Sequence, residues 1–343
     1  MAPSIPGQLT GSDMPTSQQR IRIGIIGAGI AGRRHAEAFA KHPEATITAV
    51  AETDEQRGQE FATTFGTQVF RDYRDLLAEG VDAVIICLPH HLHLICAREA
   101  AGAGAHILME KPLATTLEDA RAILQAAEDA GVTFMMGYVH RFRPEVEAAR
   151  RLIAQGQLGR PATVLDRFIS GGMQETPAWA WDRSTAGGGV VMYGGVHAID
   201  RLRMLLHDEI TEVFAKVSTY SNPADVEDGM CAMLTFSSGV WAVLYENAPG
   251  YGRVGGWVTE VFGAEGALVI TTGTRLEYRG SNGSTKWSYP VDNRFARQAN
   301  EFVAAIRERR LPAITGEDGL RGLEVALAIY RSARSGRPET LQP

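Results

Sequence analysis

Ile21-Arg22-Ile23-Gly24-Ile25-Ile26-Gly27-Ala28-Gly29-Ile30-Ala31-Gly32 is the stretch that decides how this chain folds. An apolar, strand-like run ends in three glycines at G-x-G-x-x-G spacing, and a helical run follows over residues 31–40. The first glycine allows a tight turn, the second lets backbone approach a pyrophosphate, and the third lets a helix pack close to the strand. That helix would present unpaired N–H groups and its positive end to phosphates. A second apolar run, residues 47–51, closes at Glu52, twenty residues after Gly32. A carboxylate there accepts hydrogen bonds from adenosine ribose hydroxyls. The stretch reads as a nicotinamide or flavin dinucleotide site with Gly27, Gly29, Ile30, Gly32 and Glu52 as contacts. Glu52 would repel a ribose phosphate and so favours NAD over NADP; Thr53 and Arg57 are the neighbours that could hold a phosphate instead.

Outward from this stretch, apolar strand-like runs recur at residues 68–70, 83–88, 106–109 and 133–136. Amphipathic runs at 54–64, 91–103 and 117–130 separate them. The alternation predicts an α/β domain over residues 21–138, its parallel sheet covered on both faces by right-handed crossovers. Ligands would then lie beyond the carboxyl ends of the strands, at Gly27, Glu52, Leu88-Pro89 and Glu110-Lys111. After Arg141-Phe142-Arg143-Pro144 the texture changes. One helix (144–155) leads into extended runs at 162–169, 210–220, 229–236, 240–247, 257–262 and 267–271. With few helices between them, these predict a mostly antiparallel, open-faced sheet in a second domain, residues 139–343, closed by helices at 294–309 and 317–335.

The chain's 343 residues suffice for two domains with separate cores. A net charge of −6 argues against nucleic acid or an anionic membrane as the main partner, because both need a basic surface. No uninterrupted apolar run is long enough to span a bilayer. Cys87, Cys96 and Cys231 lack metal-ligand spacing and read as reduced thiols of a cytoplasmic protein. Residues 1–20, rich in Ser, Thr, Pro, Gly and Gln, read as a disordered tail without signal or transit features, with Met14 an alternative start.

Two constellations could carry chemistry. Glu110-Lys111-Pro112 follows the run His106-Ile107-Leu108-Met109. A lysine at a strand's carboxyl end reaches into the ligand crevice, and an oxidised nicotinamide beside it would weaken its hold on its proton. It could then hydrogen-bond a substrate hydroxyl and stabilise a developing alkoxide. Farther on stands Gly187-Gly188-Gly189-Val190-Val191-Met192-Tyr193-Gly194-Gly195-Val196-His197-Ala198-Ile199-Asp200. The glycines permit a close approach before a helix bearing His197, a candidate base for the hydroxyl proton. Tyr193, His197 and Arg201 recur every four residues and would share one helix face. Asp200 is placed to orient the histidine or cap a neighbour.

Taken together, these residues resemble the Gfo/Idh/MocA family, the glucose–fructose oxidoreductase and inositol dehydrogenase group, from Ile21 to the end. The resemblance includes the glycine loop followed by His35, Leu88-Pro89 with His93, and Glu110-Lys111-Pro112. It continues through Arg141-Phe142, the triple glycine before His197-Ala198-Ile199-Asp200, and Ala328-Ile329-Tyr330-Arg331-Ser332. It implies a Rossmann domain, a second domain whose sheet mediates homodimers or homotetramers, and NAD(P)-dependent oxidation of a sugar or polyol. Lys111 and His197 fall on the family's catalytic positions, and Leu88, Pro89, His93, Glu110 and Lys111 join the cofactor contacts. Two positions depart from the pattern. Tyr193 stands where family dehydrogenases carry an aspartate four residues before the histidine, and Val139 replaces an asparagine ahead of Arg141-Phe142.

Arg141, Trp181, Asp182, Tyr193 and His197 are the candidate substrate contacts, with Trp179 and Trp181 able to stack on a sugar face or to pack the domain boundary. His90, His91 and His93 crowd one loop but lack an acidic or cysteine partner, so no metal site is expected. Tyr245, Tyr251 and Trp257 read as sheet and interface residues, and residues 225–228 as a solvated turn. Two other classes fit the same motifs: a redox-assisted, NAD-retaining glycosidase, and an inactive NAD-sensing regulator. Retention of both Lys111 and His197 argues against the regulator.

Overall fold

A computed structural model describes residues 19–170, 176–220, 224–248, 256–281 and 283–342. Residues 1–18, including Met14, and Tyr251 lie outside them. The first half alternates strand and helix: β1 (Ile21–Ile26), α1 (Ile30–Phe39), β2 (Ala45–Ala51), α2 (Glu55–Phe65), β3 (Gln68–Phe70), α3 (Tyr73–Ala78), β4 (Ala83–Ile86), α4 (His93–Gly102), β5 (His106–Met109), α5 (Leu117–Asp129) and β6 (Phe134–Met136). Side-chain caps start several helices, as where Thr116 accepts from the Asp119 N–H at α5. All five pairings are parallel, in the order β3-β2-β1-β4-β5-β6. Strand order reverses between β1 and β4, so the crevice beyond their carboxyl ends is the ligand position of a doubly wound sheet. Gly27 follows β1 there and Leu88-Pro89 follows β4.

The second half runs α6 (Pro144–Ala154), β7 (Pro161–Ile169), α7 (Arg183–Ala186), α8 (Val196–Leu206), β8 (Ile210–Ser218), β9 (Gly229–Phe236), β10 (Trp241–Asn247), β11 (Trp257–Gly263), β12 (Gly266–Thr271), β13 (Arg275–Gly280), β14 (Gly283–Ser288), α9 (Arg294–Glu308), α10 (Gly316–Ser335) and β15 (Glu339–Thr340). Its nine strands form one sheet, ordered β14-β13-β12-β11-β7-β10-β9-β8-β15. Pairing is antiparallel except between β7 and β10. Side chains alternate along these strands, as on β10, where Ala242, Leu244 and Glu246 are buried while Trp241 and Tyr245 are exposed. Helices cover the buried face. The other face leaves Leu165, Met233, Trp241, Tyr245 and Phe262 between 36% and 47% exposed.

The sequence reading omits α3, α7, β13, β14 and β15 and places the remaining elements to within a few residues. One misreading concerns residues 225–228. Glu227 and Asp228 are buried, at 3% and 0% exposure. Glu227 Oε1 accepts from the Gly189 and Val191 N–H groups and from the Tyr330 hydroxyl. Gly188 and Gly189 have no room for a Cβ because Tyr330 and the Glu227 backbone stand against them. The triple glycine is therefore pressed onto an acidic clamp, not a solvated turn.

Candidate active site

The glycine loop is shaped by its neighbours. Gly27 adopts φ +97° and a Cβ there would overlap the Cys87 carbonyl; a Cβ on Gly32 would overlap the Gly27 carbonyl. Gly29 differs: a Cβ there would meet no protein atom within 4 Å. Gly29 also caps α1 without any side-chain hydrogen bond, so the first N–H groups of the helix face open space. This is the arrangement a dinucleotide pyrophosphate requires, and the residues fit the cofactor. Ile30, 58% exposed, borders the loop. Glu52 Oε2 accepts from the Ala28 N–H at 2.9 Å, placing the carboxylate against the loop. Arg57 pairs with Glu52 and Asp54, each at 3.2 Å, so the cation that could have held a ribose phosphate is engaged.

Lys111 follows β5 and is half-buried. Its Nζ donates to the Tyr193 carbonyl at 2.7 Å and lies 4.4 Å from the centre of the Tyr193 ring. Tyr193 belongs to a π-helical turn, Val191–Gly195, that leads into α8; such turns interrupt regular helices most often at functional sites. Only His197 and Arg201 of the expected trio therefore share a regular helix face. Burial lowers the proton affinity of Lys111, while Glu110 and Glu246 oppose that shift. Glu110 is held by His35, whose Nε2 is 2.9 Å from Oε1. Burial pushes the Glu110 carboxyl up, but the His35 hydrogen bond and the Lys111 charge leave it below the usual carboxylate range.

The His197 ring lies 4.6 Å from that of His140 and 5.9 Å from that of Tyr138. Its Nδ1 is buried without a hydrogen-bond partner. Burial lowers its proton affinity well below the ordinary histidine value, and Lys111, Arg201, Arg294 and Arg143 add to the effect. The imidazole is neutral and able to accept a proton. A half-buried lysine on the Tyr193 carbonyl thus lies within electrostatic reach of a neutral histidine four residues beyond that tyrosine.

Several sequence expectations need correction. Arg141, expected as a substrate contact, is engaged elsewhere: its guanidinium grips Asp200 through three hydrogen bonds and Asp318 at 2.7 Å, tying α8 to α10. Asp200 consequently serves Arg141 and does not orient His197. Asp182 caps α7, accepting from the Ser184 N–H and hydroxyl. Trp181 is 8% exposed, and its indole N–H donates to the Thr176 hydroxyl; it packs and does not present a stacking face. Both His93 nitrogens meet carbonyls, Nδ1 that of Pro112 at 3.0 Å and Nε2 that of Leu88 at 3.1 Å. His93 thus fastens the Leu88-Pro89 turn to the Glu110-Lys111-Pro112 turn from behind. His90 and His91 hydrogen-bond the Ala186 and Thr185 carbonyls, linking the two halves of the molecule.

The structure also adds residues that no local motif announces. Glu246 is 1% exposed, its Oε2 has no partner, and its Oε1 occupies the space a Gly194 Cβ would need. Burial pushes its carboxyl well above the usual range, with Asp166 contributing and Lys111 opposing. Trp257, expected at an interface, is buried: its indole N–H donates to Asp166, and its ring lies 4.9 Å from His140. Arg201 stacks 3.5 Å above that ring.

Residues 21–138 match an oxidoreductase family with an NAD-binding Rossmann fold, and residues 146–269 match the GFO/IDH/MocA C-terminal domain. The chain belongs to the Gfo/Idh/MocA family. Its relatives include 1,5-anhydro-D-fructose reductase of Ensifer adhaerens, 32% identical over 94% of this chain and 98% of that protein. The scyllo-inositol 2-dehydrogenase (NAD(+)) of Bacillus subtilis is 27% identical over 94% and 97% of the two chains. A solved levoglucosan dehydrogenase in complex with NADH and levoglucosan has a TM-score of 0.88 at 25% identity, covering 95% of this chain and 100% of that one. Membership of Gfo/Idh/MocA makes this chain part of a family of NAD-binding sugar and polyol oxidoreductases. No helix among the described residues is long and apolar enough to cross a membrane.

Proposed function

We propose that this protein is an NAD-dependent dehydrogenase that oxidises a hydroxyl-bearing carbon of a sugar or polyol, with Lys111 and His197 as its catalytic residues. The observation that carries this reading is the Lys111 ammonium, held on the Tyr193 carbonyl and coupled electrostatically to a neutral, half-buried His197. NAD supplies a hydride acceptor when bound, held by the Gly27–Gly32 loop, Glu52, the Leu88-Pro89 turn and Glu110. Lys111 Nζ donates a hydrogen bond to the reacting oxygen and stabilises the charge that develops as its proton departs. The His197 imidazole accepts that proton; in the reverse direction it returns the proton to the oxygen. Positioning both groups from rigid elements fixes the hydroxyl before reaction, which removes much of the entropic cost of the encounter. The Tyr193 ring forms a wall beneath Lys111 and takes the place of the family's aspartate without supplying a charge. The apolar open face of the large sheet fits a second copy of the chain.

The test is reduced-nicotinamide absorbance when purified protein and NAD meet a panel of sugars, polyols, sugar acids and glycosides. Absorbance growing with one hydroxyl-bearing group supports the dehydrogenase. Glycoside cleavage without accumulation of reduced cofactor would replace it with the redox-assisted glycosidase.

A further inference from the structure

The helical run that carries Tyr193 and His197 is capped from a distant part of the chain. It begins at Val190, and neither its π-helical turn nor α8 has a side-chain cap or an acid in its own first turn. Three consecutive N–H groups at this start are nevertheless satisfied, all by Glu227. Its Oε1 accepts from Gly189 at 2.9 Å and from Val191 at 3.1 Å, and its backbone carbonyl accepts from Val190 at 3.0 Å. A carboxylate at a helix N-terminus engages orphan donors and suits the positive end of the dipole. The Tyr330 hydroxyl, from α10, donates to the same Oε1 at 2.6 Å and so fixes the carboxylate in turn.

The fit is tight enough to set position. A Cβ on Gly189 would overlap the Glu227 carbonyl, and one on Gly188 would overlap the Tyr330 hydroxyl. Farther along the turn, a Cβ on Gly194 would overlap Glu246 Oε1. Val191–Gly195 is thus seated between two buried carboxyl groups, Glu227 and Glu246. Tyr193 is the middle residue of this turn, and Lys111 Nζ donates to its carbonyl at 2.7 Å. The Lys111 ammonium therefore rests on backbone whose place is set from two remote elements, the lead into β9 and the helix α10.

We propose that Glu227 and Tyr330 are positioning residues of the reaction. By capping the helix start they hold the Tyr193 carbonyl, and through it the Lys111 ammonium, where the reacting hydroxyl meets it. This assignment rests on the dehydrogenase reading and extends it to residues that act through Tyr193 and Lys111.

Three variants separate the contributions. Glu227→Ala removes the cap. Glu227 Oε2 has no hydrogen-bond partner, so Glu227→Gln keeps the accepting oxygen and alters the unengaged one. Tyr330→Phe removes one hydroxyl, and a cavity of about 620 Å³ beside Tyr330 and Glu227 has room for a water in its place. That variant keeps the test informative if Glu227→Ala folds poorly.

The first readout is steady-state kinetics on the accepted substrate at saturating NAD. Glu227→Ala should lower kcat about a hundredfold and Tyr330→Phe about tenfold, with KM and NAD affinity within about threefold, because a misplacement of about 1 Å acts on the reacting geometry. Glu227→Gln should recover kcat to within about fivefold of wild type, since the accepting oxygen carries the cap. The second readout needs no substrate. It is reductive methylation of the intact protein with formaldehyde and cyanoborohydride, resolved by peptide mass spectrometry. The chain has four lysines, and Lys41, Lys216 and Lys286 are exposed internal standards for Lys111. Lys111 should react about fivefold faster in Glu227→Ala than in wild type, as local opening frees its amine, while the other three keep their rates.

A kcat within twofold of wild type in both Glu227→Ala and Tyr330→Phe would overturn the proposal, whatever Lys111 does. So would a fall in kcat at unchanged Lys111 reactivity, which would assign the cap to His197 alone, or a loss confined to KM or NAD affinity. Faster Lys111 methylation in the variants, with no compound oxidised by the wild-type protein, would refute the dehydrogenase reading while supporting the cap. Neither oxidation nor any change in methylation would sink both.

Discussion

Glu246→Gln should make the protein more stable at neutral pH, and the gain should grow with pH. The Glu246 carboxyl is 1% exposed, and its Oε2 has no hydrogen-bond partner. Burial raises its proton affinity well above the ordinary value. The folded protein therefore retains a proton that the unfolded chain releases above about pH 4.3. A carboxyl raised in this way gives its full stabilisation below that value, and loses it as pH rises toward the folded pKa. The loss is about 1.4 kcal/mol per pH unit over that window, so between pH 5 and pH 7 it reaches at most about 2.7 kcal/mol. Glutamine keeps the shape and the neutral charge without the linkage. Thermal melts of both proteins across pH 5 to 8 should nearly coincide at the acid end. They should separate by about 5 °C in favour of the variant near pH 7, at roughly 2 °C per kcal/mol for a protein of this size. Parallel curves, or a variant less stable at pH 7, would show that Glu246 is ionised and serves as the counter-ion of Lys111.

Three further outcomes are expected. Gly29→Ala should leave the melting temperature within about 1 °C and weaken NAD binding about tenfold or more, because its methyl enters the space left for a pyrophosphate. Gly32→Ala should instead destabilise the fold by about 2 kcal/mol or more, since its Cβ would overlap the Gly27 carbonyl; melts and NAD titrations separate the two effects. Arg141→Met leaves Asp200, 2% exposed, without its cation, and urea unfolding should register a loss of about 3 kcal/mol. Substrate KM should change less than threefold in that variant; a large rise would restore Arg141 as a substrate contact. Finally, burial and the surrounding cations depress His197, so the neutral base persists into acid. The acid limb of kcat/KM for oxidation should therefore fall below pH 6.5, and a limb at or above that value would contradict a desolvated histidine.

The parts of this molecule that are legible in sequence are those whose cause is local. The Gly27–Gly32 loop announces itself because a tight turn, a close approach and a helix start each demand glycine within six residues. Lys111 and His197 are legible for a similar reason, each beside glycine or proline at the end of a patterned element. β14 escapes because edge strands blunt themselves with polar side chains, as in Gly283-Ser284-Thr285-Lys286-Trp287-Ser288, and β13 beside it, Arg275-Leu276-Glu277-Tyr278-Arg279-Gly280, carries little apolar alternation. α3 is six residues long, shorter than the period of an amphipathic pattern needs to show itself.

Within the site, partner choice is the part that sequence hides. Nothing near Asp200 or Arg141 reveals that they meet across fifty-nine positions. Asp182-Arg183-Ser184 does carry a local helix-cap signal, yet it is masked by the neighbouring tryptophans, and the sequence reading takes Asp182 as a substrate contact. Glu227 reads as solvated beside Asp225 and Asp228, yet the triple glycine forty positions earlier is cut to fit it. Arg201, His140 and Trp257 join the site only because α8, the turn before α6, and β11 converge there.

The most direct test of the central claim is a rapid-mixing measurement of reduced-nicotinamide absorbance with the accepted substrate, comparing the wild-type protein with Lys111→Met at saturating NAD. The site predicts that the variant binds NAD with near-normal affinity while the rate of absorbance growth falls by about a thousandfold, the loss of one preorganised donor at a developing charge. A variant that reduces the cofactor within tenfold of the original rate would contradict the assignment of Lys111, and with it the account of how this site works.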